Sequence, residues 1–71
     1  MLSLPQIFGN RLREIRTARG WSQEHFADTC HLHRSHMGEI ERGEVDVELS
    51  TLAKIAKGLK MTAGAILDGI I

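Results

Sequence analysis

Four side chains able to ligate a metal or carry a proton, Cys30, His31, His33 and His36, fall within seven consecutive positions of this chain. Cysteine and histidine together are zinc ligands. Their spacing matches no paired-knuckle pattern, and Cys30 sits on the apolar side of its segment, so no metal is expected. The same run carries Arg34, Ser35, Gly38, Glu39 and Arg42. Arg34, Ser35, His36, Gly38 and Glu39 fall between apolar positions and should form an exposed polar face. Two uses fit such a face: docking into a DNA groove, or plain solvation of an amphipathic helix. Catalysis has no support. The chain holds no Ser-His-Asp order, Walker loop, dinucleotide fingerprint or paired catalytic carboxylates, and so short a chain leaves little room for a deep pocket. Neither enzymatic activity nor a cofactor is expected.

The elements that position these residues lie between Trp21 and Gly43. Ser22 is a good N-cap, and Gln23 and Glu24 suit a first helical turn. Phe26, Ala27 and Cys30 recur at helical spacing. The run Cys30-His31-Leu32-His33 breaks the pattern. Met37 and Ile40 resume it, and Gly43 stops the second helix. The spacing therefore predicts helices at 22–30 and 34–42, joined by a tight turn.

Upstream, Ser3-Leu4-Pro5-Gln6 resembles a helix start, and Phe8, Leu12 and Ile15 supply an apolar stripe. This first helix should run over 5–19. Gly20 then ends it, and Trp21 should fold back onto it as core packing. Downstream, Asp46 is a fair N-cap for a helix over 47–58, with Leu49, Leu52, Ile55, Ala56 and Leu59 as its buried stripe. Gly58 should mark a fraying end. Thr62 caps a fifth helix over 63–68 that buries Ile66 and Leu67. There is no sustained period-two alternation and no hairpin dipeptide, so no strand is expected. The fold class is all-α: five short helices in a single domain over 1–71.

At 71 residues the core is marginal, so caps and oligomerisation matter. Nine basic and nine acidic residues balance, which argues mildly against a nucleic-acid partner. The distribution softens that objection: Arg11, Arg13, Arg16 and Arg19 against Glu14 leave about +3 on the first helix. Glu44, Asp46 and Glu48 gather in one loop. All four histidines lie in the central unit and would add positive charge as pH falls. One cysteine forms no internal disulfide, and no apolar run would span a membrane. A cytoplasmic protein without a membrane partner is expected.

The run RLREIRTARGWSQEHFADTCHLHRSHMGEIERG resembles the lambda-repressor-like, Cro-type helix-turn-helix family, and LSTLAKIAKGLKMTAGAIL resembles that family's closing two helices. The likeness covers roughly residues 8–67. Arg-Gly-Trp-Ser-Gln, Ile-Glu-Arg-Gly and Leu-Ala-Lys-Ile-Ala are weak singly and specific as an ordered set.

That resemblance implies roles for particular residues. Arg16 and Glu41 match an ion pair between the first and third helices; the alternative is two solvated charges. Gln23 matches a phosphate-contacting position at the start of the second helix, or is a plain first-turn residue. Arg34 and Ser35 match the first two groove-facing positions, and Glu39 a third. Arginine bonds guanine O6 and N7, serine either edge, and glutamate accepts from cytosine N4. Glu39 could instead pair within its helix with His36 or Arg42. His33, His36 and Arg42 are further candidate phosphate contacts. Gly38 either permits close approach to DNA or weakens the helix. Two residues depart from the family pattern: His31 stands at a left-handed turn position usually held by glycine, and His33 where a Ser or Thr cap is usual. The implied function is sequence-specific double-stranded DNA binding by a homodimeric, nucleoid-associated regulator reading a near-palindromic operator. Ile66, Ile70 and Ile71 are the expected dimer contacts. The alternative is an antitoxin or interaction module whose main partner is a protein, such as a toxin or another regulator.

Overall fold

The computed structural model describes every residue, Met1–Ile71, as five α-helices without strands. They are α1 (Leu4–Ala18), α2 (Gln23–Thr29), α3 (Arg34–Glu41), α4 (Leu49–Leu59) and α5 (Ala63–Leu67). Local chemistry sets the start of most. Ser3 and Gln6 form a capping box: the Ser3 hydroxyl accepts from the Gln6 N–H, and Gln6 Oε1 accepts from the Ser3 N–H at 2.8 Å. Ser22 caps α2 and Thr62 caps α5, each hydroxyl accepting a backbone N–H at 3.0 Å. Gly20 and Gly43, both at positive φ, follow the C-caps of α1 and α3.

Ten side chains close one core: Phe8 and Leu12 from α1, Phe26 and Ala27 from α2 with its C-cap Cys30, Met37 and Ile40 from α3, Ile55 and Leu59 from α4, and Ile66 from α5. Each large one contributes about 1.5–3 kcal/mol relative to an exposed position. α3 packs against both α1 and α2, which fixes its buried side and so decides which edge faces out. Gly9 makes the α1 contact possible, because the Ile40 and Glu41 carbonyls occupy the space a side chain there would need. Arg11 ties α1 to the end of α5, its Nε donating to the Ile66 carbonyl at 3.2 Å. Trp21 is half-buried against the core, its backbone N–H donating to the Arg16 carbonyl and its ring carrying the Arg19 guanidinium 5.1 Å from the centroid.

Three expectations need correction. α4 begins at Leu49 and not Val47; its N-cap is Glu48, which makes no side-chain cap bond, and Asp46 caps nothing. The reason is that Val45 and Val47 pack on the core while Glu44, Asp46 and Glu48 are exposed, so no helix begins until both valines are seated. Leu49 is 83% exposed and leaves the buried stripe, and Leu67 is only half-buried. Gly58 is not a fraying end. It lies inside α4 where the helix meets the end of α2, and a Cβ there would stand 2.6 Å from Cys30 Sγ.

Candidate nucleic-acid interface

The α2–turn–α3 unit is built around one buried carboxylate. Glu41, 3% exposed, accepts from Arg16 Nε at 2.8 Å and from Arg16 Nη2 at 3.0 Å, a bidentate pair joining α3 to α1. A third donor, Gln23 Nε2, reaches Glu41 at 3.2 Å. Arg16 Nη1 donates to the Trp21 carbonyl at 3.1 Å. The first turn of α2 and the last turn of α3 are therefore held on the same carboxylate.

The turn is held by two histidines. His31 adopts φ 56°, the left-handed conformation expected at that position. His33 is the N-cap of α3, with Nδ1 accepting from the Ser35 N–H at 3.1 Å and lying 2.7 Å from the Ser35 hydroxyl.

Between α2 and α3 lies a polar concavity of about 560 Å3, lined by Gln23, Glu24, Arg34, Ser35, Gly38, Glu39 and Arg42, with no hydrophobic side chain. Five of the seven polar contacts expected from the sequence line it: Gln23, Arg34, Ser35, Glu39 and Arg42. His33 and His36 do not line it; they sit at the N-cap and in the first turn of α3. Gly38 does not belong to the exposed face. It is buried, with Arg42 Nη1 and Gln23 Oε1 standing 2.8 and 3.3 Å from where its Cβ would be, so it provides the floor on which those side chains rest.

The charged groups here are paired with one another. Arg34 lies 3.4 Å from Glu24. His36 lies 3.4 Å from Glu39, the intrahelical partnership expected as one alternative. Arg42 does not take Glu39. It forks onto Glu44 at 2.9 and 3.2 Å. That hydrogen bond is the main cause of a lowered Glu44 pKa and a raised Arg42 pKa. Sequence reasoning misses Glu24 and Glu44 as members of this surface. Glu24 is ten residues from its partner, and only the fold brings the two together.

The metal-ligating types do not converge. Cys30 Sγ points into the core beside Gly58, burial pushes its thiol up to about 11, and no group of three or more His, Cys, Asp or Glu residues gathers. Two arginines credited to a positive first helix serve the scaffold instead, Arg16 on Glu41 and Arg11 on α5. No helix is long and apolar enough to cross a membrane.

Among known proteins, the control protein C.BamHI of Bacillus amyloliquefaciens is 40% identical over 63 residues, covering 87% of this chain and 78% of that protein. The control protein C.SmaI of Serratia marcescens is 35% identical over 66 residues, 93% of this chain and 79% of that one. The crystal structure of the restriction-modification controller protein C.AhdI from Aeromonas hydrophila superposes with a TM-score of 0.83 at 42% identity, covering 87% of this chain and 94% of its own. The family model of the helix-turn-helix domain matches residues 7–66, and those residues hold all five helices but for the two ends. With the buried Arg16–Glu41 pair, the left-handed turn at His31 and these matches together, the chain belongs to the helix-turn-helix domain family.

Proposed function

We propose that this chain is a homodimeric transcription regulator that binds double-stranded DNA, of the kind that controls restriction–modification genes. α3 enters the major groove with Arg34 and Ser35 at base edges and Glu39 deeper along the same edge. Gln23, His33, His36 and Arg42 face the phosphates on either side. One observation carries the reading: Arg34 and Ser35 are exposed on the outer edge of a helix whose other side is locked in the core, beside a concavity without apolar lining. The control proteins among its relatives support the regulatory role.

One of the three expected dimer contacts drops out of the proposed surface. Ile66 is fully buried in the chain's own core and is unavailable to a second subunit. Ile71 is 84% exposed, and Ile70 is half-buried. Ile71 lies with Leu4, Leu49, Leu52 and Leu67 on an apolar groove of about 410 Å3. A second copy seated there covers these side chains, which water would otherwise meet at a cost. To read two half-sites, the two-fold dimer must hold its α3 helices roughly 34 Å apart, one DNA turn.

The direct test is retardation of random-sequence duplex at low salt. Retardation that weakens with salt, with a log–log slope of about −0.9 per phosphate contacted, is the expected result. Absence of any retardation, with capture of a protein through the apolar groove instead, would favour the alternative of a scaffold whose main partner is a protein.

A further inference from the structure

The chain has four close contacts between a basic side chain and a carboxylate, three from arginine and one from His36 that is an ion pair only with a protonated ring, and only Arg16–Glu41 serves the interior. The other three all lie on the α2–α3 surface. Arg34 and Arg42, the two arginines lining the concavity, each already hold a carboxylate: Glu24 on α2 and Glu44 in the following loop. His36 holds Glu39. Two arginines face three glutamates, so with neutral histidines this surface has no net positive charge. A protein proposed to approach a polyanion thus presents the two arginines of this surface already paired.

From this juxtaposition we propose that Glu24 and Glu44 hold down the affinity for DNA, by competing with it for Arg34 and Arg42. The proposal rests on the DNA-binding reading above. Nonspecific attraction to DNA comes from cations that neutralise phosphates and release counterions. A guanidinium closed on a carboxylate has little charge left for that purpose. On random DNA the two pairs stay closed, and both arginines add little. On a matched site the guanine edge offers Arg34 a bidentate partner, and close docking brings a phosphate to Arg42. Exposed ion pairs are weak, so they open for that better geometry. The cost of opening the pairs falls on the matched site, so the glutamates weaken matched binding at least as much as random binding.

Glu24→Gln and Glu44→Gln, singly and together, test this. Both glutamates are exposed and outside the core, so equal unfolding midpoints for wild type and variants are expected and checked first. Dissociation constants are then measured across a salt series, on random duplex and on a duplex selected from random sequence with the wild-type protein. For the double variant on random duplex, the log–log salt slope should steepen by up to about 1.8, reflecting two new phosphate contacts, with affinity rising on the order of tenfold at low salt. On the selected duplex the wild type bears the cost of opening both pairs and the variant does not, so the gain should be at least as large, up to about fivefold per pair, and the ratio of the two affinities should hold or rise. An unchanged slope on random duplex, or no tightening on the selected one, overturns the proposal while leaving DNA binding intact. A wild-type protein that retards neither duplex overturns the DNA-binding reading itself, and this proposal with it.

Discussion

Glu41 is the residue on which the site's geometry turns. A carboxylate taken out of water is costly unless it is paired and hydrogen-bonded, and here two bonds from Arg16 and one from Gln23 meet that need. Glu41→Gln keeps the shape and removes the charge, leaving the Arg16 guanidinium without its counter-charge in a largely buried position. The expected loss is about 3 kcal/mol, read as a lower urea midpoint with an unchanged slope. A loss under about 0.5 kcal/mol would mean the pair behaves like a solvated surface bridge. The resemblance to the Cro-type family points to Arg16 and Glu41, and it also marks the left-handed position of His31 and the cap position of His33. Gln23 as the third partner of Glu41 is not legible in the sequence, because it depends on the angle between α2 and α3. The burial of Gly38 is hidden for a related reason: nothing local says that Arg42 and Gln23 fold over it.

Among the helices and their connections, caps are legible where a short polar side chain stands before an apolar stripe, as at Ser3, Ser22 and Thr62. They are not legible where tertiary packing overrides the local signal. Glu44-Val45-Asp46-Val47-Glu48 alternates over five residues only, and both valines pack on the core; beside Leu49 and Leu52, the same residues mimic a helix start. Gly58 and Gly64 show how far context decides the meaning of a helical glycine. Gly64 has open space, with the nearest atom 4.0 Å from where a Cβ would stand, whereas Gly58 has Cys30 Sγ at 2.6 Å and the Thr29 carbonyl at 3.1 Å. Gly64→Ala should therefore raise stability by about 0.5–1 kcal/mol through helix propensity. Gly58→Ala should lower it by about 1–3 kcal/mol through overpacking. Thermal unfolding of both variants checks this, and a gain at both positions would show that α4 does not press on Cys30 as described.

For the molecule taken together, zero net charge is a poor guide because it averages over unlike surfaces. Arg11 and Arg16 hold helices together, while Arg34 and Arg42 face outward in weak pairs. The five-helix order is legible throughout, since each helix carries its own stripe. The surface offered to a second copy is not: the sequence reads Ile66 both as buried by its own helix and as a dimer contact, and only the closed core decides for the first. DNA reading by this fold depends above all on α3 packing against α1 and α2 so that Arg34 stays free to meet a base. The decisive measurement is selection of bound sites from random duplex, run in parallel with wild type and Arg34→Ala. Wild type should return inverted half-sites about one turn apart, and Arg34→Ala should lose preference at one base pair per half-site, by about 1–3 kcal/mol. The same consensus from both proteins, or uniform weakening on every sequence, would mean that Arg34 does not read a base.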